Sequence, residues 1–224
     1  GTEQLIKRHE EYEIYQLIKD LKISDDVIYM NPEFGYKITR FIENSEHFSY
    51  DKPEHMEMAL DLLRILHNSG LECSHAFDIE ERIMFYYDLC IKNNAILFND
   101  FDDVFSNVKE IIKQLKFLDR EKVLCHVDFV EDNFLFTKDR IYLLDWEYAG
   151  MADPLIDIAV FVVYGGLQDE EVVNLLEAYL QRTATKEELL ITHSYVALAG
   201  FLWALWTQYK QSCGDDFGTY GMEQ

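Results

Sequence analysis

Three oxygen-bearing side chains in the second half of the chain have the types and spacing that phosphoryl transfer requires. Asn133 follows Asp128 by five positions, and Asp145 ends the apolar run at residues 141–144. In phosphotransfer from ATP, one carboxylate orients a substrate hydroxyl and accepts its proton, while an asparagine oxygen and a second carboxylate hold Mg²⁺ on the phosphates. The pattern predicts Asp128 as the catalytic base, with Asn133 and Asp145 as Mg²⁺ ligands.

The neighbouring residues decide between that chemistry and an ordinary loop. Asp and Asn are frequent in turns, because their side chains satisfy nearby backbone groups. However, residues 134–136 and 141–144 are apolar and flank a polar turn, which is typical of a strand, a tight turn and a second strand. Such a hairpin would place Asp128, Asn133 and Asp145 around one opening, so the context favours the catalytic interpretation.

The same residues resemble the choline/ethanolamine kinase family. The resemblance rests on Asp128 and Asn133, on the D-W-E-Y-A-G sequence that begins at Asp145, and on Asp153 and Asp157 beyond it. That family belongs to the aminoglycoside-phosphotransferase branch of the protein-kinase-like folds. The chain is most similar to its bacterial Lic-type choline kinases, over essentially its whole length. The resemblance implies an α+β fold with a mostly helical C-terminal lobe and a small β-hairpin catalytic region.

The resemblance also implies a division of the chain. Residues 1–45 would be a remnant of the N-terminal, nucleotide-binding lobe and the hinge, and residues 46–224 would form the catalytic and substrate-binding lobe. The hinge backbone would bind the adenine of ATP at Phe41, Ile42 and Glu43. From the residues alone, a plain edge hairpin is at least as probable there.

A helix expected at residues 3–22 would carry the glutamate that pairs with a phosphate-contacting basic residue on a preceding strand. Glu10 and Glu11 are both candidates, and both are equally typical of solvated helix surface. The sequence begins at Gly1 with neither that strand nor a nucleotide-covering hairpin. We therefore expect a truncated N-terminal lobe, and we expect activity to belong to the full-length protein.

Two tryptophans near the end of the chain suggest the substrate. Trp203 and Trp206 lie three residues apart and share a helix face, which by itself is most simply a core face. In the family a W-x-x-W helix forms an aromatic box for a quaternary ammonium, whose positive charge is attracted to ring faces. The resemblance adds four side chains to that choline-binding box: Glu147, Tyr148, Tyr164 and Tyr220.

Two further side chains are expected to support the catalytic loop. By resemblance, His126 braces the loop through hydrogen bonds, and Asp157 braces it from the following helix. The alternative for Asp157 is a helix N-terminal carboxylate that the helix dipole favours. His67 is expected to be a packed or capping residue.

Periodicity and breaker residues predict the remaining elements. Strands are expected at residues 27–30 and 36–42, and a helix at 52–68 that is capped by Ser49 or Asp51 and ended by Gly70. Further helices are expected at residues 79–93, 100–118, 170–182 and from 186 onward.

Net charge and cysteine spacing limit the kinds of partner and compartment that we expect for this chain. The net charge of −22 argues against nucleic acid or an anionic membrane surface, because both would repel the chain. The four cysteines lack metal-type spacing and are expected to be reduced thiols of a cytoplasmic protein. We expect no signal peptide, no apolar run of membrane-spanning length and no membrane insertion. The oligomeric state is left open.

These observations predict an ATP- and Mg²⁺-dependent kinase that phosphorylates the hydroxyl of choline, a small cationic substrate. The alternatives are a related kinase for ethanolamine, thiamine or an aminoglycoside, and a non-catalytic choline-binding pseudokinase. Paired tryptophans favour choline, because a primary ammonium is better satisfied by carboxylates than by rings.

Overall fold

The computed structural model describes residues 6–215, and helices make up most of this span. The helices are α1 (Arg8–Ile18), α2 (Pro53–His67), α3 (Ile79–Lys92), α4 (Phe101–Lys116), α5 (Leu155–Gly165), α6 (Asp169–Leu180) and α7 (Lys186–Ser212). A capping box begins α7, since the Thr185 side chain accepts from the Glu188 N–H and the Glu188 carboxylate accepts from the Thr185 N–H. These bonds satisfy N–H groups that the first turn of a helix leaves open.

Short antiparallel strands connect the helical parts. They are β1 (Val27–Asn31), β2 (Tyr36–Thr39), β3 (Glu46–His47), β4 (Val123–Cys125), β5 (Phe134–Phe136), β6 (Ile141–Leu143) and β7 (Gly150–Ala152). β1 and β2 form a hairpin, β5 lies between β3 and β6, and β4 pairs with β7. The catalytic hairpin that the sequence predicts is therefore present as β5 and β6.

The surroundings of Gly150 show why the first residue of β7 is a glycine. A Cβ atom built there would lie 3.0 Å from the backbone nitrogen of Phe77. The segment that leads into α3 runs this close to β7 because the Phe77 N–H donates to Met151 O and the Met151 N–H donates to His75 O. β4, β7 and this segment are thereby held together.

Several boundaries differ from the sequence expectations. The first helix ends at Ile18 and continues only as a 3-10 turn, because Lys22 takes a left-handed conformation with φ of 56°. The second strand stops at Thr39 rather than at residue 42. Neither Ser49 nor Asp51 caps α2, because Lys52 occupies the cap position without a side-chain bond. The two-residue strand β3 was not expected.

One large part of the core is built around α7. This helix packs along α5 and against α3 and α4. On one side the rings of Phe101, Phe105 and Phe201 lie in contact, with the Phe105 and Phe201 centroids 5.6 Å apart. On the other side nearly every residue of α5 is buried. α7 therefore lies between α5 on one side and α3 with α4 on the other.

The apolar composition of α7 corrects one sequence expectation. By length and composition α7 qualifies as a candidate membrane span, although no such run was expected from the sequence. Half of its most apolar stretch is buried inside the fold. Because a buried core helix passes the same test, the apolar character of α7 is accounted for by its packing against α3, α4 and α5.

Removing the Phe201 ring should destabilise the fold strongly. Phe201 is 5% exposed and packs against Phe98, Phe101 and Phe105. We expect Phe201→Ala to lower the free energy of unfolding by about 3–5 kcal/mol, because the cavity left behind adds to the lost burial. Chemical denaturation measures the change. Leu190→Ala on the same helix, where the side chain is 68% exposed, is the control and should change stability by less than about 0.5 kcal/mol.

Candidate active site

The loop after β4 is held from beneath by Asp157, in the first turn of α5. This residue is fully buried, and its carboxylate accepts from the backbone N–H groups of His126 at 3.0 Å and Val127 at 2.5 Å. His67 of α2 donates from Nε2 to the same carboxylate at 2.9 Å. A buried carboxylate requires such donors, because burying an unpaired charge is costly. These three bonds are the contacts through which Asp157 would give the loop the support that the sequence predicts.

The second ring nitrogen of His67 extends the network to α6. Nδ1 lies 2.7 Å from the hydroxyl of Tyr179, so with Nε2 as donor Nδ1 accepts from that hydroxyl. Three helices, α2, α5 and α6, therefore meet at one carboxylate. His67 is buried and takes part in packing, as the sequence predicts, and it lies away from the lining of the cavity described below.

The backbone of the loop is strained at the residue before Asp128. Val127 has φ of 69°, in the left-handed region that β-branched residues avoid. Such a conformation costs on the order of 1–3 kcal/mol and persists only where its surroundings enforce it. The hydrogen bond from Val127 N–H to Asp157 provides that restraint. The next side chain, Asp128, lines the cavity beside the loop.

Asn133 fixes the orientation of Asp128. It lies in a short 3-10 turn over Glu131–Asn133, which follows the loop. Its Nδ2 donates to the backbone oxygen of Asp128 at 2.8 Å and to the Asp128 carboxylate at 2.8 Å. The amide of Asn133 therefore directs its nitrogen at Asp128 and leaves its oxygen available for another partner.

The turn that carries Asp145 is tied to the same loop. The Leu144 N–H donates to Asn133 O at 2.8 Å, and His126 Nε2 donates to Leu144 O at 2.9 Å. The His126 ring meets the buried Trp146 ring edge-to-face, with centroids 4.6 Å apart. Asp145 itself adopts φ of 60°. The bond from His126 to Leu144 is the contact by which His126 would brace the site. The bond from Leu144 to Asn133 holds Asn133 and Asp145 on adjacent stretches of backbone.

A cavity of about 300 Å³ opens beside Asp128. Of the predicted site residues it brings together Asp128, Asn133, Glu147, Tyr148, Tyr164, Trp203 and Trp206. Rings form much of its wall, and the Tyr164 hydroxyl donates to Asp132 at its edge. A cavity of this size, apolar and with a few polar groups, is typical of small-molecule sites.

The acidic groups of the cavity are perturbed. Burial raises the pKa of Asp128 to about 6, the hydrogen bond from Asn133 acts in the opposite direction, and the charge of Asp145 adds to the rise. Burial likewise raises the pKa of Glu147 to about 7, and Asp145 again adds to it. Carboxylates with raised pKa values inside a cavity are characteristic of functional sites.

Asp145 lines a separate cleft of about 390 Å³ that adjoins the cavity. Glu147 borders both spaces and Asp145 borders the cleft, and the charge of Asp145 still raises the pKa of Asp128. Glu11 faces the cleft and forms an ion pair with Lys37 of β2 at 3.3 Å. Glu10 instead pairs with Lys7 at 3.2 Å. Of the two candidate glutamates, Glu11 is thus the one in the cleft. Its basic partner, Lys37, lies on a strand that follows α1, whereas the sequence analysis expected the partner on a preceding strand.

The expected adenine-binding residues lie in a third space. Phe41, Ile42 and Glu43 border a depression of about 370 Å³, together with Thr137 and Tyr142. The Phe41 side chain is 85% exposed. These residues line neither the cavity nor the cleft. Tyr220, the remaining predicted member of the ammonium box, lies outside the described residues.

Sequence reasoning missed three cavity residues that come from α3 and the segment before it. Phe77, Arg82 and Tyr86 line the cavity, and Tyr86 is only 3% exposed. The aromatic richness of residues 79–93 was the sole signal, and it is equally typical of a core helix. Their contact with the loop depends on how α3 packs against α7, which no local spacing reveals.

Asn133 and Asp145 suit a hard divalent cation. The Asn133 amide oxygen and the Asp145 carboxylate are both oxygen donors, and the bond from Leu144 to Asn133 O keeps their backbones together. Asp145 is exposed, so it remains accessible from the cleft. Mg²⁺ is bound through one or two carboxylates together with substrate phosphates, and this donor set fits that requirement.

The fold is protein-kinase-like: a small β-hairpin region with a strained loop and a carboxylate turn, set on a helical body. The profile of the phosphotransferase enzyme family matches residues 51–190. The chain belongs to this phosphotransferase enzyme family.

Individual relatives agree with that assignment. The chain is 31% identical to a protein named LicA from Haemophilus influenzae over 206 residues, which cover 87% of this chain and 76% of that protein. A crystal structure of choline kinase LicA from Streptococcus pneumoniae superposes with a TM-score of 0.85 at 30% identity, covering 99% of this chain and 79% of that one. A crystal structure of LicA in complex with AMP superposes with a TM-score of 0.84 at 30% identity. The match covers 99% of this chain and 77% of that one. The resemblance inferred from sequence is confirmed.

Neutralising Asp157 should loosen the loop and lower stability. Asp157→Asn replaces one acceptor oxygen by an N–H group that faces the donors of His126, Val127 and His67. We expect the free energy of unfolding to fall by about 2–4 kcal/mol, since buried hydrogen-bonded charges leave their partners unsatisfied when removed. Thermal and urea denaturation measure the change. Asp139→Asn, in the exposed turn between β5 and β6, is the control, and an equal effect there would contradict this account.

Proposed function

We propose that this chain carries the catalytic and substrate-binding site of an ATP-dependent choline kinase. The observation that supports it is the cavity that Asp128 lines together with Trp203 and Trp206. A group that can accept a hydroxyl proton and rings that can hold a cationic head are thereby placed within one small space. Choline joins a hydroxyl to a quaternary ammonium through two carbons, and so matches both ends.

Asp128 would perform the proton transfer. Asn133 fixes its carboxylate through Nδ2, so one carboxylate oxygen is oriented and the other faces the substrate hydroxyl. As that hydroxyl oxygen forms its bond to the γ-phosphorus of ATP, its proton passes to Asp128 and the bond to the β–γ bridging oxygen breaks. The products are phosphocholine and ADP. Catalysis of this kind depends on positioning and charge neutralisation rather than on covalent chemistry by the protein.

The phosphates of ATP would occupy the cleft at Asp145. Phe41, Ile42 and Glu43 border a different depression and remain the proposal from sequence for the adenine. Asn133 and Asp145 would hold Mg²⁺, which would supply positive charge to offset that of the phosphates. The ion pair of Glu11 with Lys37 keeps a basic side chain in the same cleft.

The trimethylammonium head would lie against the α7 tryptophans and the ring of Tyr148, with Tyr164 and Tyr220 as further proposed members of the box. Such a head has no N–H group to donate, so it is bound best by ring faces together with a nearby negative charge, here Glu147. This preference separates choline from substrates that carry primary amines.

Removing the base should reduce turnover more than binding. We expect Asp128→Asn in the full-length protein to lower kcat by about 10²- to 10⁴-fold with little change in KM for choline, because the amide keeps the shape but accepts no proton. Steady-state kinetics with choline and ATP measure both constants. Asp102→Asn, on the exposed surface of α4, serves as the surface control. Near-normal turnover in the Asp128 variant would remove this residue from the catalytic role.

Removing one box ring should affect binding more than turnover. We expect Trp203→Ala to raise KM for choline by roughly ten- to hundred-fold, through loss of a cation–π contact and of apolar surface. Because Trp203 also packs in the core, Trp203→Phe is the matched variant: it keeps a ring and should recover most of the affinity. A KM unchanged in Trp203→Ala would contradict the aromatic box.

Ethanolamine is the second candidate substrate, and the carboxylates of Asp128, Asp132 and Glu147 on the same cavity favour it. Its primary ammonium can donate hydrogen bonds that choline lacks. Thermal-shift measurements with each ligand separate the two, since stabilisation follows affinity at a fixed ligand concentration. A larger shift with ethanolamine would assign the cavity to that substrate. Choline binding without phosphate transfer by the full-length protein would instead indicate a pseudokinase.

A further inference from the structure

His75 has one ring nitrogen in a hydrogen bond and one without a partner. The residue lies in the segment that runs beside β7, where its backbone oxygen accepts from the Met151 N–H. Its Nε2 lies 2.9 Å from Ala149 O. Its Nδ1 is buried and has no hydrogen-bond partner within the described part of the chain. A buried polar atom that stays unpaired costs free energy, so a partner for Nδ1 is expected.

Glu13 of α1 lies beside that nitrogen. Its Oε2 is 3.6 Å from His75 Nδ1. The same carboxylate accepts from the Ser74 hydroxyl at 2.6 Å and from the Ser74 N–H at 2.8 Å. These bonds from Ser74 lower the pKa of Glu13, and the charge of His75 acts in the same direction. Glu13 therefore presents a negative charge to Nδ1.

The contact with Ala149 decides which nitrogen carries the proton of the neutral ring. A carbonyl oxygen only accepts, so Nε2 donates, and Nδ1 of the neutral ring is then an acceptor. An acceptor that faces a carboxylate forms no bond with it. A second proton makes Nδ1 a donor, and the imidazolium then binds Glu13 and Ala149 O at once. We call these two contacts of the charged ring the His75 bridge.

The His75 bridge connects two elements that border the cleft. Glu11 lines the cleft from α1, and Asp145 lines it from the segment between β6 and β7, which ends at Ala149. No residue of α1, which is described over its full length, lines the cavity beside Asp128. A change in how firmly α1 is held should therefore alter the cleft and leave the cavity largely as it is.

The charges that face the His75 ring are mainly negative. The ring borders a small space of about 100 Å³ between α1, the start of α3 and the segment before β7. The titratable and charged side chains around this space or in contact with His75 are Lys7, Glu10, Glu13, Cys73, Asp78, Glu81, Arg82, Glu147 and Tyr148. Carboxylates outnumber cations in this set, so its surroundings do not oppose a positive ring.

We propose that His75 is a positioning residue that, as an imidazolium, fixes α1 against the segment that carries Asp145. The inference rests on the proposed function for its effect on ATP, whereas the bridge itself is a property of the fold. The bridge exists only while the ring holds its second proton, so it is present at low pH and is lost as the pH rises. With the bridge in place α1 keeps its distance from Asp145, and the cleft keeps the width that the phosphates of ATP need.

Two substitutions separate the halves of the bridge. His75→Gln places an amide N–H near the position of Nε2, so it keeps a donor for Ala149 O and loses the group that faces Glu13. His75→Asn keeps a donor near the position of Nδ1 and loses the one for Ala149. His9→Gln is the matched control, because His9 of the same helix also pairs with a glutamate, Glu33 at 3.1 Å, but on the exposed surface. Melting temperatures of all variants confirm folding.

Steady-state kinetics of the full-length protein at pH 6 and pH 8 test the positioning role. At pH 6 we expect His75→Gln and His75→Asn each to raise KM for ATP by roughly ten-fold, because a charge-assisted hydrogen bond is lost. The values of kcat and of KM for choline should stay within about two-fold. At pH 8 the KM for ATP of His75→Gln should approach that of the wild type, whose ring has then lost its second proton. His9→Gln should match the wild type at both pH values. The titration of Asp128 and Glu147 is common to all these proteins and cancels in the ratios.

A spectroscopic measurement tests the bridge without any substitution and without turnover. In ¹⁵N NMR spectra of the wild-type imidazoles, neutral His75 should carry its proton on Nε2. The Nδ1 proton that appears at lower pH should exchange slowly with water, since Nδ1 is buried. A neutral ring with its proton on Nδ1 would overturn the inference.

The kinetic results separate this inference from the proposed function. A KM for ATP in His75→Gln equal to that of the wild type at pH 6, or raised equally at both pH values, would overturn the inference while turnover of choline still supports the proposed function. A wild-type protein that does not phosphorylate choline would overturn the proposed function and the effect on ATP, and the NMR spectra would still decide whether the bridge forms.

Discussion

A single buried carboxylate connects the helical body to the chemistry. Asp157 receives two backbone N–H groups of the loop and one ring nitrogen from α2, and its α-helix is packed along α7. Without those donors the charge would be intolerable in the interior, and without the charge the left-handed conformation of Val127 would have nothing to enforce it. The backbone conformation that precedes Asp128 is therefore set by a residue that does not line the cavity.

α7 shows how one element serves stability and recognition together. Its N-terminal half begins with a capping box, and its middle joins the phenylalanine cluster through Phe201. The same helix then presents Trp203 and Trp206 to the cavity. At 1.5 Å per residue, a helix of 27 residues is about 40 Å long, so the two tryptophans belong to a rod whose capped first turn lies far from the cavity.

Local sequence signals predicted the parts of the site that are local in the chain. The spacing of Asp128, Asn133 and Asp145, with the apolar runs between them, was enough to predict the hairpin, and similarity to a known family supplied the protein-kinase-like fold. The division into a cavity and a separate cleft was not predictable, because it depends on which way the turn at Asp145 faces. Arg82 and Tyr86 were missed for a related reason: they reach the site only through packing of α3 on α7. The cap prediction for α2 was wrong because the helix begins at Pro53, so Lys52 takes the cap position, and the Ser49 hydroxyl accepts from the Asp51 N–H instead.

Glu147 borders both the cavity and the cleft at Asp145. A carboxylate shared by two binding spaces links them thermodynamically, since the charge of a ligand in one space changes the electrostatic free energy of that carboxylate and hence of a ligand in the other. Linkage of this kind is reciprocal: whatever factor a cation in the cavity applies to the affinity of the cleft, an occupant of the cleft must apply to the cation. Any ligands of the two spaces are coupled in this sense through the one carboxylate that borders both.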